Sequence, residues 1–315
     1  MRKILFLDSV HPILNERLTK HGFECINGTK FSLEEIKTFL PEIFGLVIRS
    51  RFTMNEEFLA NAKQLKFIAR SGSGLENIDQ IYCKEKGIAL FNSPEGNRNA
   101  VAEHALGMLL VLLNKLHIAD LQIRNGVWNR EANRGEELDG KTVGIIGYGN
   151  NGAAFAKKLR GFDVKVMVYD KYKTGFGDHF VQECTLEAIF EQADVVSFHI
   201  PQNKETKYWA SEDFFNLFAK PILLLNLSRG KIVNTKDLVN ALKSGKVRGA
   251  GLDVLEFETK SFESFFEQHL PEEFQYLIAA ENVVLTPHVG GWTKESYFKL
   301  SDVLADKILE WERSM

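Results

Sequence analysis

Arg229, Glu258 and His288 are three side chains of unlike chemistry, and each stands just beyond a short apolar run, at residues 222–228, 249–254 and 283–287. An imidazole exchanges a proton near neutral pH. A carboxylate on its other nitrogen fixes the tautomer and favours the charged ring. A guanidinium grips an α-carboxylate bidentately and polarises a neighbouring carbonyl. Taken singly, each has an ordinary structural explanation: a turn arginine, a solvated loop carboxylate, a capping imidazole. Together they supply what interconversion of a carbonyl and an alcohol needs, provided hydride comes from elsewhere.

A hydride source is suggested by Gly147, Gly149 and Gly152, spaced G-x-G-x-x-G between an apolar strand (142–146) and a helical stretch (153–159). In a dinucleotide fingerprint the first glycine makes the turn, the second admits a pyrophosphate and the third lets helix and strand pack closely. A second apolar strand, 164–169, ends in Asp170, about 20 residues on, where a ribose contact is expected. Its carboxylate should accept from a 2′-OH and repel a 2′-phosphate, favouring NAD, although Lys171 and Lys173 act the other way.

Groups this far apart meet only on a regular scaffold. Short apolar strands (4–7, 46–48, 65–69, 88–91) alternate with amphipathic helices (11–20, 55–62, 78–86), which predicts a parallel sheet covered on both faces. Loops at the carboxyl ends of such strands carry function. Arg49 and Arg51 end one strand; Ser71, Gly72, Ser73 and Gly74 follow the next in a turn able to aim N–H groups at an anion. On these residues alone, solvated arginines and an ordinary turn explain as much. Residues 100–124 read as one long helix, apolar on most sides and suited to bridge two domains. The polar stretch 125–140 reads as an arm covering either the core or a second copy. Further strands are expected at 193–200, 222–228, 249–254 and 283–288, with helices at 235–244 (Thr235 as cap), around 261–269 and at 293–313. The final helix returns to the first domain. The expected fold class is α/β, with two doubly wound parallel sheets: residues 1–97 with 292–315, around a dinucleotide-binding domain at 98–291.

At 315 residues the chain exceeds what one core usually serves. A net charge of -3, with no concentrated basic stretch, argues against nucleic acid as a partner. The longest apolar segment falls well short of the ~20 residues of a membrane span, and Asp8 ends the N-terminal apolar run too early for a signal peptide. Three scattered cysteines without C-x-x-C spacing suit neither a disulfide framework nor a metal site. A reducing, cytoplasmic setting is expected.

Ordered motifs run almost end to end: the 70–79 segment with its Ser-Gly-Ser-Gly turn, Ala-Val-Ala-Glu-His at 100–104, Gly-Val-Trp-Asn-Arg at 126–130, the glycine fingerprint, Asn-Leu-Ser-Arg-Gly at 226–230, Gly-Leu-Asp-Val at 251–254 and Leu-Thr-Pro-His-Val-Gly-Gly at 285–291. In these the sequence resembles the D-isomer-specific 2-hydroxyacid dehydrogenases, above all their phosphoglycerate branch. The resemblance implies a flavodoxin-like substrate domain and a Rossmann NAD-binding domain. It implies catalytic Arg229, Glu258 and His288, and substrate-carboxylate binding by Ser71, Gly72, Ser73 and Gly74. Cofactor contacts would come from Gly147, Gly149, Asn150, Asn151, Gly152, Asp170 and Asp253. Arg49, Arg51 and Arg130 fall where that branch places cations for a phosphate, so oxidation of 3-phosphoglycerate is expected, with other 2-hydroxyacids or 2-ketoacids as alternatives. A homodimer through the nucleotide domains is also implied. The sequence departs from the pattern at Asn150 and Asn151, at Thr259, in the long Phe-rich 259–281 stretch, and at Trp292, where a small residue is common. With the chain ending just after its last helix, no appended regulatory domain is expected. Some proteins of this architecture are NAD(H)-sensing corepressors, and that binding function is the alternative to catalysis.

Overall fold

The computed structural model describes residues 2–258 and 270–315; Thr259 and the helix expected around 261–269 lie outside them. The chain divides into two compact units, residues 2–98 with Trp292–Met315, and residues 99–258 with 270–291.

The first unit holds five parallel strands, β1 (Arg2–Phe6), β2 (Phe23–Asn27), β3 (Ile43–Ile48), β4 (Phe67–Arg70) and β5 (Ala89–Asn92), in the order β2-β1-β3-β4-β5. That is the flavodoxin-like order. Helices α1 (Pro12–Lys20), α2 (Leu33–Phe39), α3 (Glu56–Leu59) and α4 (Gln80–Glu85) connect them. Side chains alternate across a strand, so Leu5 and Leu7 enter the core with Ile36, Leu46 and Ile68. Ile4 and Phe6 face the other way, onto Leu304, Ala305, Ile308 and Leu309 of the C-terminal helix. Both faces are covered, which is why these strands are apolar throughout rather than alternating.

The chain leaves this unit on α5 (Pro94–Leu113), followed by α6 (Leu116–Arg124). These correct the single helix expected at 100–124: the two segments are bent by 62°, and Lys115 between them is left-handed at φ 51°. Neither proline nor glycine marks the break, so periodicity runs straight through it. Met108, Leu109 and Leu112 of α5 are core residues, whereas α6 buries none.

Seven parallel strands form the second unit: β6 (Thr142–Ile146), β7 (Lys165–Tyr169), β8 (Val181–Glu183), β9 (Val195–Phe198), β10 (Ile222–Asn226), β11 (Val247–Leu252) and β12 (Val283–Leu285), ordered β12-β11-β10-β9-β6-β7-β8. Helices α7 (Asn150–Lys158), α8 (Leu186–Gln192), α9 (Glu212–Asn216), α10 (Thr235–Lys243) and α11 (Glu272–Ala279) link them, and α12 (Lys294–Arg313) ends the chain in the first unit. The cap of α10 is Asn234, whose side chain accepts from the Asp237 N–H, and not Thr235. Register aligns the sheet's carboxyl edge. Tyr169 pairs with Ile146, Ile146 with Phe198, Phe198 with Asn226, Asn226 with Leu252, and Leu252 with Leu285. The glycine turn, Asp170, Arg229, Glu258 and His288 therefore all lie in loops that leave from one transverse row. All five residues of β10 are buried. At roughly 1.5–3 kcal/mol per large apolar side chain, burial holds that row firmly.

Candidate active site

The glycine turn is tied to the next strand end by a carboxylate. Asp170 accepts from the Tyr148 N–H through one oxygen (2.7 Å) and from the Tyr172 and Lys173 N–H groups through the other (2.9 and 3.0 Å). Two of the glycines are required by the chain itself. Gly147 has φ 98°, and a Cβ there would lie 2.5 Å from the His199 carbonyl oxygen; a Cβ on Gly152 would lie 2.0 Å from the Gly147 oxygen. Gly149 is different, because its φ is an ordinary -80° and a Cβ would meet nothing within 4 Å. Glycine there leaves room for something outside the polypeptide. Beyond it, α7 starts at Asn150 with no side-chain cap and no acidic residue in its first turn, so its positive N-terminal end faces that room.

One further residue beside the turn is not singled out by sequence. His199, directly after β9, approaches both Gly147 and Gly152, and burial pushes its imidazole down to about 4. Its Nδ1 and the Oδ1 of Asn151 are buried with no partner among the described residues. An open cradle over Gly149, an uncapped helix and a carboxylate at the neighbouring strand end fit a dinucleotide. Of the two lysines that opposed NAD selectivity, Lys171 pairs with Glu205, and the Nζ of Lys173 donates to the Tyr148 carbonyl (3.0 Å).

The loops after β10, β11 and β12 are sewn side by side. The Asp253 N–H donates to the Asn226 carbonyl (3.1 Å), and the His288 N–H to the Asp253 carbonyl (2.8 Å). Gly230, next to Arg229, hugs the following loop so closely that a Cβ would lie 2.0 Å from the Leu255 oxygen. Asn226 shapes the turn from below, its amide donating to the Arg229 carbonyl (3.0 Å) and its oxygen accepting from the Ser228 N–H and hydroxyl. The Arg229 guanidinium donates to the Ser228 carbonyl (2.6 Å).

His288 and Glu258 meet: Nδ1 of the imidazole lies 2.7 Å from Oε2 of the carboxylate, with side chains 25% and 14% exposed. The other carboxylate oxygen accepts from the Leu255 N–H, so Glu258 is fixed at both ends. With Nδ1 on the carboxylate, proton exchange with a substrate would fall to Nε2. His288 itself sits at φ 54°, a conformation costly for a residue bearing a Cβ and concentrated at functional sites. What enforces it is Asp253. Its buried carboxylate accepts from the Thr286 hydroxyl (2.6 Å) and from the N–H groups of Val289 and Gly290 (both 2.8 Å), and His104 of α5 reaches the same Thr286 hydroxyl at 3.0 Å. Asp253, expected as a cofactor contact, thus has an internal task in organising the His288 loop; His104 and Thr286 join it without having been singled out by sequence.

In the first unit, the turn after β4 is held from behind. Arg70, 8% exposed, donates to the carbonyls of Arg49 (3.0 Å) and Gly74 (2.6 Å), and the Ser71 N–H donates to the Ile48 carbonyl. The Gly72 N–H turns back on Arg70, the Gly72 carbonyl accepts from the Ser93 N–H, and the Ser73 hydroxyl donates to Asn97 (2.7 Å). Backbone N–H groups of Ser73 and Gly74 donate to no acceptor among the described residues, which suits an anion-binding turn. Arg49 lies beside this turn. Arg51 does not serve as expected: its guanidinium donates to the carbonyls of Leu7, Gly28, Thr29 and Phe31, closing the β1 and β2 loops rather than reaching for a ligand. Arg130 is exposed and belongs to the second unit.

Comparison with known proteins identifies the family. Residues 106–290 match the profile of the D-isomer specific 2-hydroxyacid dehydrogenase NAD binding domain. The chain is 34% identical to a hydroxypyruvate reductase of Thermotoga maritima, over 88% of this chain and 87% of that one. It is 30% identical to a D-3-phosphoglycerate dehydrogenase of Archaeoglobus fulgidus over 99% of its own length, but spans only 58% of that relative. A crystal structure of D-lactate dehydrogenase from Aquifex aeolicus, complexed with NAD and lactic acid, superposes with a TM-score of 0.82 at 25% identity, covering 99% of this chain and 96% of that one. The chain belongs to the D-isomer-specific 2-hydroxyacid dehydrogenases, and its second unit is their NAD-binding domain.

Proposed function

We propose that this dehydrogenase oxidises 3-phosphoglycerate to 3-phosphohydroxypyruvate, the reaction that would feed serine synthesis in the cytoplasm. Bound NAD supplies the hydride acceptor; the remaining work falls to side chains. His288 takes the hydroxyl proton at Nε2 on oxidation and returns it on reduction, while Glu258 holds the ring and balances its charge. Arg229 and the Ser73 and Gly74 N–H groups receive the substrate carboxylate. Asp170 receives the ribose hydroxyl, and Gly149, Asn150, Asn151 and Gly152 the pyrophosphate. Arg49 and Arg130 are the cations for the phosphate, and a second copy of the chain packs on α6 and the arm that follows.

The 2.7 Å His288–Glu258 pair, on the same sheet edge as the glycine turn, carries the redox reading. Phosphate preference rests on Arg49 at the end of β3. A second reading, reduction of hydroxypyruvate or glyoxylate, is favoured by the engagement of Arg51 with backbone carbonyls, which removes one of three expected cations. A substrate panel followed as NADH absorbance separates them. The phosphate ester should exceed glycerate and lactate in kcat/KM by at least ~10-fold, the scale of one charge-assisted contact. Equal turnover of all three defeats the assignment.

A further inference from the structure

Arg49 is built into the first unit by its backbone. Its N–H donates to the Asp8 carboxylate (2.6 Å), and its carbonyl accepts from Arg70 (3.0 Å) and the Asn77 amide (3.1 Å). Those bonds fix where the side chain starts. A long arginine has several rotatable bonds, and aiming its charge requires a further contact. Trp292 makes such a contact: the guanidinium carbon stands 4.1 Å from the centre of the indole ring.

The indole is itself well placed to aim a charge. Trp292 immediately precedes α12, whose start is fixed by a capping box in which Thr293 and Ser296 each accept from the other's N–H (3.0 and 2.9 Å). The helix is anchored through Leu304, Ala305, Ile308 and Leu309 in the core. Trp292 is nevertheless 61% exposed. Leaving so large an apolar ring in water is unfavourable, and the stack on Arg49 is what its position achieves. Stacking uses the face of a guanidinium, and carboxylates and phosphates bind along its N–H edge, so the two contacts are compatible.

We propose that Trp292 is a specificity-determining residue: it positions the Arg49 guanidinium to receive the anionic tail of the substrate, of phosphate-ester class, at the end remote from the reacting carbon. The inference rests on the phosphoglycerate reading for the identity of the tail, while the coupling of Trp292 to Arg49 stands apart from it.

The test is a double-mutant cycle in the full chain, with Trp292→Ala, Arg49→Ala and the double variant, each assayed on 3-phosphoglycerate and D-glycerate, which differ by the phosphate alone. Trp292→Ala should reduce the ratio of kcat/KM for the phosphorylated over the plain acid by roughly 3- to 30-fold, mainly through KM. Trp292→Phe should restore part of the ratio, because a smaller ring still stacks. In the Arg49→Ala background, Trp292→Ala should change the ratio no further. Thermal stabilisation by NAD reports that each variant is folded. Additive effects of the two substitutions, or an equal loss on both acids, overturn the proposal. If the wild-type enzyme itself shows no preference for the phosphate ester, the phosphoglycerate reading fails. The same cycle on the best-used acid of the panel then decides the coupling: non-additivity retains it, and additivity ends it.

Discussion

His288 combines two properties that seldom coincide, a titratable ring and a left-handed backbone. The strain is tolerated because Asp253, Thr286 and His104 fix the loop around it. A substitution must therefore spare the backbone to report on the ring, and asparagine accepts this conformation better than most residues. His288→Asn should lower kcat by ~10²- to 10⁴-fold while leaving NAD affinity within a few-fold, as judged by steady-state rates and an NAD titration. A corepressor-like NAD(H) sensor has no turnover to lose, so detectable wild-type activity that the substitution leaves intact would contradict the catalytic role. The His288–Glu258 contact was legible in sequence because its members are chemically unlike and each follows a recognisable strand. Arg51 was grouped with Arg49 because two arginines at one strand end look alike. Only folding reveals that carbonyls from residues 7, 28, 29 and 31 converge on one of them.

At the scale of elements, the three glycines of the β6–α7 turn separate folding from ligand binding. Gly152→Ala drives a methyl to 2.0 Å from the Gly147 oxygen, closer than any real contact, so the strand and helix must part. It should destabilise the fold by about 2–4 kcal/mol, as overpacking against rigid backbone does. Gly149→Ala meets nothing and has an ordinary backbone conformation. It should leave the melting temperature of the NAD-free protein within a degree or two and raise the Kd for NAD by at least ~10-fold through collision with the pyrophosphate. Equal effects of both substitutions on the NAD-free fold would show that the room over Gly149 has no ligand purpose. Sequence spacing identified the turn but could not assign these separate duties, because the neighbours that distinguish them, the Gly147 and His199 carbonyls, are brought near by the fold. The α5–α6 break was hidden for a related reason: the left-handed residue is a lysine, Lys115, and not a glycine that would announce it.

For the molecule as a whole, α6 and the arm after it pose a solvation problem. Leu116, Leu121 and Ile123 are 53%, 57% and 54% exposed, and Trp128 in the arm is 79% exposed. No single helix among the described residues is long and apolar enough to cross a membrane, and scattered single apolar residues would need no explanation. These four are drawn from one stretch of 13 residues in which α6 buries nothing. Exposed apolar patches of that density on a protein surface mark association sites. A second copy of the chain is the occupant we propose, since a two-fold interface lets the same patch cover itself and needs no other gene product. The chain should run as a dimer by light scattering at micromolar concentration, and Leu121→Glu should shift it toward monomer because two carboxylates would be buried per interface. Leu121 is exposed in the isolated chain, so the substitution has little packing to lose within the monomer, and its melting temperature should fall only by what dimerisation contributes. A wild-type chain that stays monomeric across that range would leave the patch without its proposed cover.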